Sequence, residues 1–400
     1  VSVWPAGQQA SRCVAFSPYV AGYNPNSGPH PPPALIDTLL DITVSQLGFR
    51  CILVYGVLNG LDYVAAAAQA RGIEVMQNIW LDSVRAVNDE SITRGIQVAN
   101  QYPGTVTRVS CGSEVRVRHG VGVAETEIGH CIDRLRAALV AQPIGSMDGW
   151  WNWCNASMPC QRWGLADRLD WVGINVYPWW ENVFSGLYPC TCGAGAPDFV
   201  VARQQELRAR YPERPVLLTE FGWPAGPEDY CPTSPCSGRR CGAAGEQNQA
   251  FVIPSTRRRL HALDQTYVVF EAFRGPWKTG EPGGVGPYWG LCQGTPPYTC
   301  DRSFADGFDA DPPPPPRLCP GEAVCPPGTP CPLVRHGGER LRPQATTVNA
   351  SPRRRVGSGS EPNPYGGRRE NPWMRARSSG EPWQTRQERG PETSRSEARA

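Results

Sequence analysis

Short runs rich in β-branched and other apolar residues recur along the chain, and apolar positions take up helical spacing between them. Eight runs read as strands, at residues 14–17, 51–55, 74–80, 106–111, 144–147, 171–176, 216–219 and 267–270. Leu35, Leu39, Leu40 and Leu47 mark the first intervening helix, and residues 63–71, with four successive alanines, mark the second. Ile128, Cys131, Ile132, Leu135, Ala138 and Leu139 form one apolar stripe at helical spacing, and residues 200–211 read as a helix that ends before Pro212. Eight β-then-α units imply an all-parallel sheet, whose natural closure is an α/β fold of the (β/α)8 TIM-barrel type. A doubly wound open sheet is the alternative. It would carry a glycine-rich phosphate turn after its first strand, and Ser17-Pro18-Tyr19 is no such turn.

The alternation stops after Cys300. Residues 312–316 are consecutive prolines, and residues 333–400 have no apolar period. The expected organisation is a barrel over 1–300, a Pro/Cys-rich linker over 301–332 and a disordered Arg/Pro/Gly/Ser-rich tail over 333–400. The tail holds 14 Arg, 7 Glu, no Lys and no Asp, a charge of +7. The whole chain carries +2, which leaves the preceding residues at about −5. A basic tail can touch nucleic acid or acidic polysaccharide, but a charge run of this composition reads first as solvated disorder, and no nucleic-acid partner is expected. Lys278 is the single lysine, against 38 arginines.

Sixteen cysteines point to an oxidising compartment. Cys154, Cys160, Cys190, Cys192, Cys231, Cys236 and Cys241 lie in loops, and Cys319, Cys325 and Cys331 in the proline-rich stretch, all expected as disulfides. Cys13, Cys51 and Cys111 sit in apolar runs and read as buried thiols. Metal spacing is lacking and histidines number five, so no metal and no cofactor are expected. No run of 18 apolar residues exists, so no membrane span is expected. The chain begins at Val1 without Met, which fits a removed or uncaptured signal peptide. Asn155-Ala156-Ser157 is a glycosylation sequon, which suits a secreted or cell-wall protein. A monomer is expected.

Barrel chemistry sits at the C-terminal ends of strands. Glu114 follows the fourth run in VSCGSEVRVRHG, and Glu220 ends the seventh in VLLTEFGWP. Acetal hydrolysis needs an acid at the leaving oxygen and a nucleophile at the anomeric carbon, and two carboxylates supply both. Strands four and seven face each other across a barrel, so the two side chains can meet. A serine-hydrolase G-x-S-x-G is not supplied by Cys111-Gly112-Ser113-Glu114.

Four segments, in order, resemble glycoside hydrolase family 17, the β-1,3-glucanase family of retaining (β/α)8 enzymes, over about residues 13–291. They are Ile79-Trp80-Leu81, DWVGINVYPWWE from Asp170, LLTEFGWPAG around Glu220, and FEAFRGPWK from Phe270 followed by YWGL from Tyr288. The resemblance implies Glu220 as nucleophile and Glu114 as general acid/base in endo-type cleavage of β-1,3-glucan. It implies Tyr177 as a hydrogen-bond donor to the nucleophile. Asn175, Glu271 and Lys278 would contact sugar hydroxyls, and Tyr55, Trp80, Trp223 and Trp289 would line the cleft. Fourteen tryptophans, most following predicted strands, suit stacking on sugar rings, whereas Trp171, inside a strand, reads as core.

Four positions depart from the family pattern. Ser113 replaces an Asn that would bond the sugar's 2-hydroxyl, Arg274-Gly275 replaces an acidic pair, and Gly286 replaces a Glu. The alternatives are therefore a β-1,3-glucan transglycosylase on the same fold, or a glucan-binding protein that turns over weakly or not at all.

Deleting residues 333–400 is expected to leave folding and activity intact, because the tail lacks apolar surface to join a core. A melting temperature lowered by several degrees in the truncated protein would contradict that boundary.

Overall fold

A computed structural model describes residues 10–154, 161–185, 195–227, 244–301 and 304. The expected linker beyond residue 304, the tail, the Asn155 sequon and Cys160, Cys190, Cys192, Cys231, Cys236, Cys241, Cys319, Cys325 and Cys331 lie outside the described residues.

Eight strands close a parallel barrel in chain order. They are β1 (Arg12–Phe16), β2 (Cys51–Val54), β3 (Glu74–Ile79), β4 (Val106–Ser113), β5 (Ile144–Gly149), β6 (Trp171–Asn175), β7 (Val216–Phe221) and β8 (Tyr267–Val269). Every strand expected from the pattern is present, and β8 pairs with β1 to complete the ring. The connecting helices are α1 (Pro33–Ser45), α2 (Tyr63–Gln69), α3 (Arg85–Gln101), α4 (Val115–His119) and α5 (Val121–Ala137), followed by α6 (Trp150–Trp153), α7 (Pro178–Ser185), α8 (Ala196–Arg210) and α9 (Glu246–Ala262).

Alternation along the strands divides two cores. Cys13, Ala15, Leu53, Met76, Met147, Trp171, Leu217 and Val268 pack together inside the barrel. Val14, Phe16, Ile52 and Val54 join the larger layer beneath the helices. Both faces are buried, so the strands read as nearly continuous apolar runs. Trp171 is core, as expected, with its indole donating to the Pro143 carbonyl at 3.1 Å. Gly145 makes room for it, since a Cβ there would lie 2.2 Å from the Trp171 ring.

Three cysteines read as thiols are disulfide-bonded instead. Cys13 joins Cys51 across neighbouring strands β1 and β2, where their Cα atoms lie 4.4 Å apart, and Cys111 of β4 joins Cys131 of α5. Apolar surroundings do not separate the two states, because a disulfide is as apolar as a thiol; only pairing geometry does. Cys292 joins Cys300, and Cys154 is also bonded.

The long helices α3 and α9 carry weak apolar stripes for a physical reason. The buried face of α3 includes Asn88, Ser91 and Gly95, and that of α9 includes Gln249, Pro254, Thr256 and Arg257. Packing there is completed by polar partners. Asn88 donates to Glu127, which also accepts from Arg85, and Arg257 stacks on Phe49 and donates to the Phe304 carbonyl. Phe304, 1 % exposed, belongs to this packing.

Gly145→Ala is expected to lower unfolding stability by about 1–3 kcal/mol, the usual cost of overpacking a filled core. Chemical denaturation checks this, and an unchanged midpoint would show that Trp171 shifts freely.

Candidate active site

Besides a shift near the start of β3, the ladder becomes irregular at the C-terminal ends of β4, β6 and β7. Register shifts fall between Ser110 and Ser113, between Ile174 and Asn175, and between Leu218 and Phe221. Such bulges re-aim side chains at a barrel mouth, and here they bring Ser113, Glu114, Asn175 and Glu220 together.

Glu220 is 5 % exposed, and both its oxygens are held. Tyr177 donates to Oε2 at 2.5 Å and Tyr55 to Oε1 at 2.9 Å, while the Ser113 hydroxyl approaches Oε1 at 3.4 Å. Tyr55, expected only to line the cleft, is a second phenol donor to the same carboxyl. Burial and then the nearby Glu114 push Glu220 up to about 8, against the opposing pull of the two phenols and Lys278. Burial and then Glu220 in turn push both tyrosines well above the ordinary phenol range, so they remain donors.

Glu114 follows β4 in a left-handed conformation, φ 53° and ψ 30°. That region is unfavourable for a side chain larger than Gly and persists only where surroundings enforce it. The neighbouring strand does so. Glu114 N–H donates to the Met147 carbonyl at 2.8 Å, and Arg116 N–H, two residues on, donates to Asp148 Oδ2 at 2.9 Å. Asp148 also accepts from Gly149 N–H and Asn152 Nδ2, at 2.8 and 2.6 Å. Burial pushes this acid up to about 7 despite these donors. The sequence reading missed Asp148, and its only signal was an Asp-Gly at a strand end.

On the facing side, Arg118 Nη2 ties the loop down through the Leu81 and Ser113 carbonyls, at 2.8 and 3.0 Å. Asn175 bridges the two carboxylate strands rather than standing free for a sugar. Its Nδ2 donates to Glu114 Oε1 at 3.3 Å and its Oδ1 accepts from Thr219 at 2.8 Å.

Glu271 and Lys278 form a buried ion pair at 2.5 Å, with the ammonium 4.5 Å from the centre of the Phe270 ring. Glu271 Oε1 is buried and has no hydrogen-bond partner among the described residues. Gly275 leaves room for the lysine stem, because a Cβ there would lie 3.3 Å from Lys278 Cε. Arg274, its neighbour, bonds Glu246 and Gln293 instead.

The tryptophans correct an expectation. Trp223 is 0 % exposed and Trp289 is 1 %, so neither offers a ring face to a polysaccharide here. They pack with Trp179, Val252 and Val285, and Trp289 meets Tyr177 edge-on at 5.2 Å. This layer is where the apolar surface of the last loops is buried. Trp80 is different: it is 41 % exposed, with the Arg118 guanidinium 4.0 Å from its ring centre. Among the described residues no cluster of His, Cys, Asp or Glu is arranged to hold a metal ion, and no helix is long and apolar enough to cross a membrane.

A closed parallel barrel with two interacting carboxyls at the ends of β4 and β7 has the form of a glycoside hydrolase barrel. Residues 13–290 match the BtgE/BtgC glycoside hydrolase domain, and the chain belongs to that family. A probable glucan endo-1,3-beta-glucosidase of Emericella nidulans is 24% identical over 197 residues, 44% of this chain and 40% of that protein. A probable beta-glucosidase of Aspergillus fumigatus is 25% identical over 253 residues, 61% of this chain and 39% of that protein. The chain thus spans about two fifths of the length of these relatives. Among solved structures, the fold resembles a family 17 β-1,3-glucanosyltransferase from Rhizomucor miehei, with TM-score 0.57, 16% identity and coverage of 74% of this chain and 98% of that one. An endo-laminarinase from Formosa superposes with TM-score 0.59 at 17% identity, over 71% of this chain and 83% of that one.

Glu220 and Asp148 both hold their protons more tightly folded than unfolded. Each therefore contributes stability that is full below its unfolded pKa, near 4.5 for Glu220, and is lost as pH rises through the folded value, about 8 for Glu220 and about 7 for Asp148. Glu220→Gln is expected to flatten the fall in melting temperature between about pH 5 and 8, and to raise it at pH 8 by several degrees. Parallel curves for wild type and variant in calorimetry would contradict the assignment.

Proposed function

We propose that the chain is a retaining glycosidase of the family 17 type, acting on β-1,3-glucan, with Glu220 as nucleophile and Glu114 as general acid/base. The observation that carries the reading is Glu220 itself, a buried carboxyl with a phenol donor on each oxygen. Those donors suit the ionised form, which attacks the anomeric carbon. Their pull is offset by burial and by Glu114, so the pair retains a proton near neutral pH. In the first step the Glu220 oxygen bonds to the anomeric carbon as the glycosidic C–O bond breaks, and Glu114 delivers its proton to the leaving oxygen. In the second step Glu114 takes a proton from water, which displaces Glu220 from the sugar. A sugar hydroxyl in place of that water gives transglycosylation instead. Trp80 offers an exposed aromatic face to the polysaccharide, while Glu271 and Lys278 present hydroxyl-binding groups. The disulfides support work outside the cytosol, in the medium or the cell wall.

The test is incubation of the protein with laminarin, following reducing ends alongside product lengths. Shortened chains with rising reducing ends support hydrolysis, lengthened products without them support transfer, and Glu220→Gln is expected to abolish both. A glucan-binding protein without useful turnover is the second reading. It is favoured by Ser113, whose short hydroxyl is already turned to Glu220. Binding without turnover would establish it.

Ser113→Asn is expected to raise kcat/KM on laminarin by about 5- to 150-fold, if an amide adds a hydrogen bond of about 1–3 kcal/mol made mainly in the transition state. An unchanged or lower rate in an otherwise active enzyme would mean the contact is already made elsewhere.

A further inference from the structure

The loop after β8 carries a carboxylate that the reading above leaves without a task. Glu281 precedes the short turn Pro282–Gly284. Its Oε2 accepts the Trp289 indole N–H at 2.8 Å, and no protein donor among the described residues meets its other oxygen. Trp289 is buried against Tyr177, which donates to Glu220, so the indole fixes Glu281 to the wall of the site. Lys278, Glu271 and Glu114 are the charges that bear on Glu281. The backbone is shaped around this placement. A Cβ at Gly286 would lie 2.0 Å from the Lys278 carbonyl oxygen, so in this loop position 286 has no space for a side chain.

A carboxylate oxygen without a protein donor is open to one from a ligand, and among the described residues this site has two, Oε1 of the half-buried Glu281 and the fully buried Oε1 of Glu271. Both belong to residues beside Lys278. A pyranose ring offers hydroxyls that each donate one hydrogen bond and accept another. That matches two carboxylates which can only accept and an ammonium which can only donate.

We infer that Glu281 is a substrate-binding residue, accepting a hydrogen bond from a sugar hydroxyl of the bound glucan while Trp289 holds it in place. The inference rests on the glycosidase reading and adds to it a residue outside the expected set.

The test is calorimetric titration of the full chain carrying Glu220→Gln, so that ligand is not consumed, with laminarihexaose and with cellohexaose. Adding Glu281→Gln keeps an acceptor for the Trp289 indole but turns a pure acceptor into a mixed group, and adding Glu281→Ala removes both. Each is expected to weaken Kd about tenfold, the loss of one hydrogen bond to a charged group. Trp289→Phe, which releases Glu281 without removing it, is expected to weaken binding as well. Affinity unchanged in Glu281→Gln, with binding by the parent intact, would overturn the role of Glu281 and leave the glycosidase reading standing. Binding of cellohexaose alone would overturn the β-1,3 linkage, and Glu281 would then be judged on that ligand. Binding of neither sugar by the parent would overturn both. A melting temperature lowered only in Glu281→Ala separates loss of folding from loss of contact.

Discussion

The site depends on keeping one carboxyl out of water without leaving it unpaired. Glu220 lies at the mouth of a closed barrel, where desolvation disfavours its charge, and Glu114 disfavours it further. Two phenols from different strands, Tyr55 after β2 and Tyr177 after β6, supply the compensating hydrogen bonds. They converge only because the barrel is closed. An open sheet would leave the ends of β2 and β7 far apart.

The second carboxylate is positioned first by its backbone and then by one side-chain donor. Glu114 adopts a left-handed conformation, held by the Met147 carbonyl on one side and by the Asp148 anchor of the following turn on the other. Asn175, paired in register with Glu220, reaches Glu114 and so ties the two carboxylate strands together. Rigidity of this kind preorganises the charges that a glycosidic transition state meets, and it costs little at the moment of reaction.

Beside this floor Trp179, Trp223 and Trp289 belong to one packed cluster. The chain is rich in tryptophan, yet these rings are packing. The close backbone approaches at Gly275 and Gly286 let the last loop fold tightly enough to place Lys278 against Glu271 and Glu281 against Trp289.

The amino-acid sequence by itself determined the eight strands, four of the intervening helices and their order, because strand and helix patterns are local and periodic. It also marked Glu114 and Glu220, since strand ends are legible and barrel chemistry gathers there. Three things were decided only in the tertiary structure. Whether Cys13, Cys51 and Cys111 are thiols or disulfides depends on which residues face each other across strands, a distance that spacing does not encode. Whether a tryptophan stacks on sugar or fills a layer depends on which neighbours cover it, and Trp80 and Trp223 look alike in the chain but differ in burial. Tyr55, Asp148 and Glu281 each act through a partner far away in sequence or across a folded loop. No periodicity carries such contacts, because they arise from where separate strand ends and loops meet.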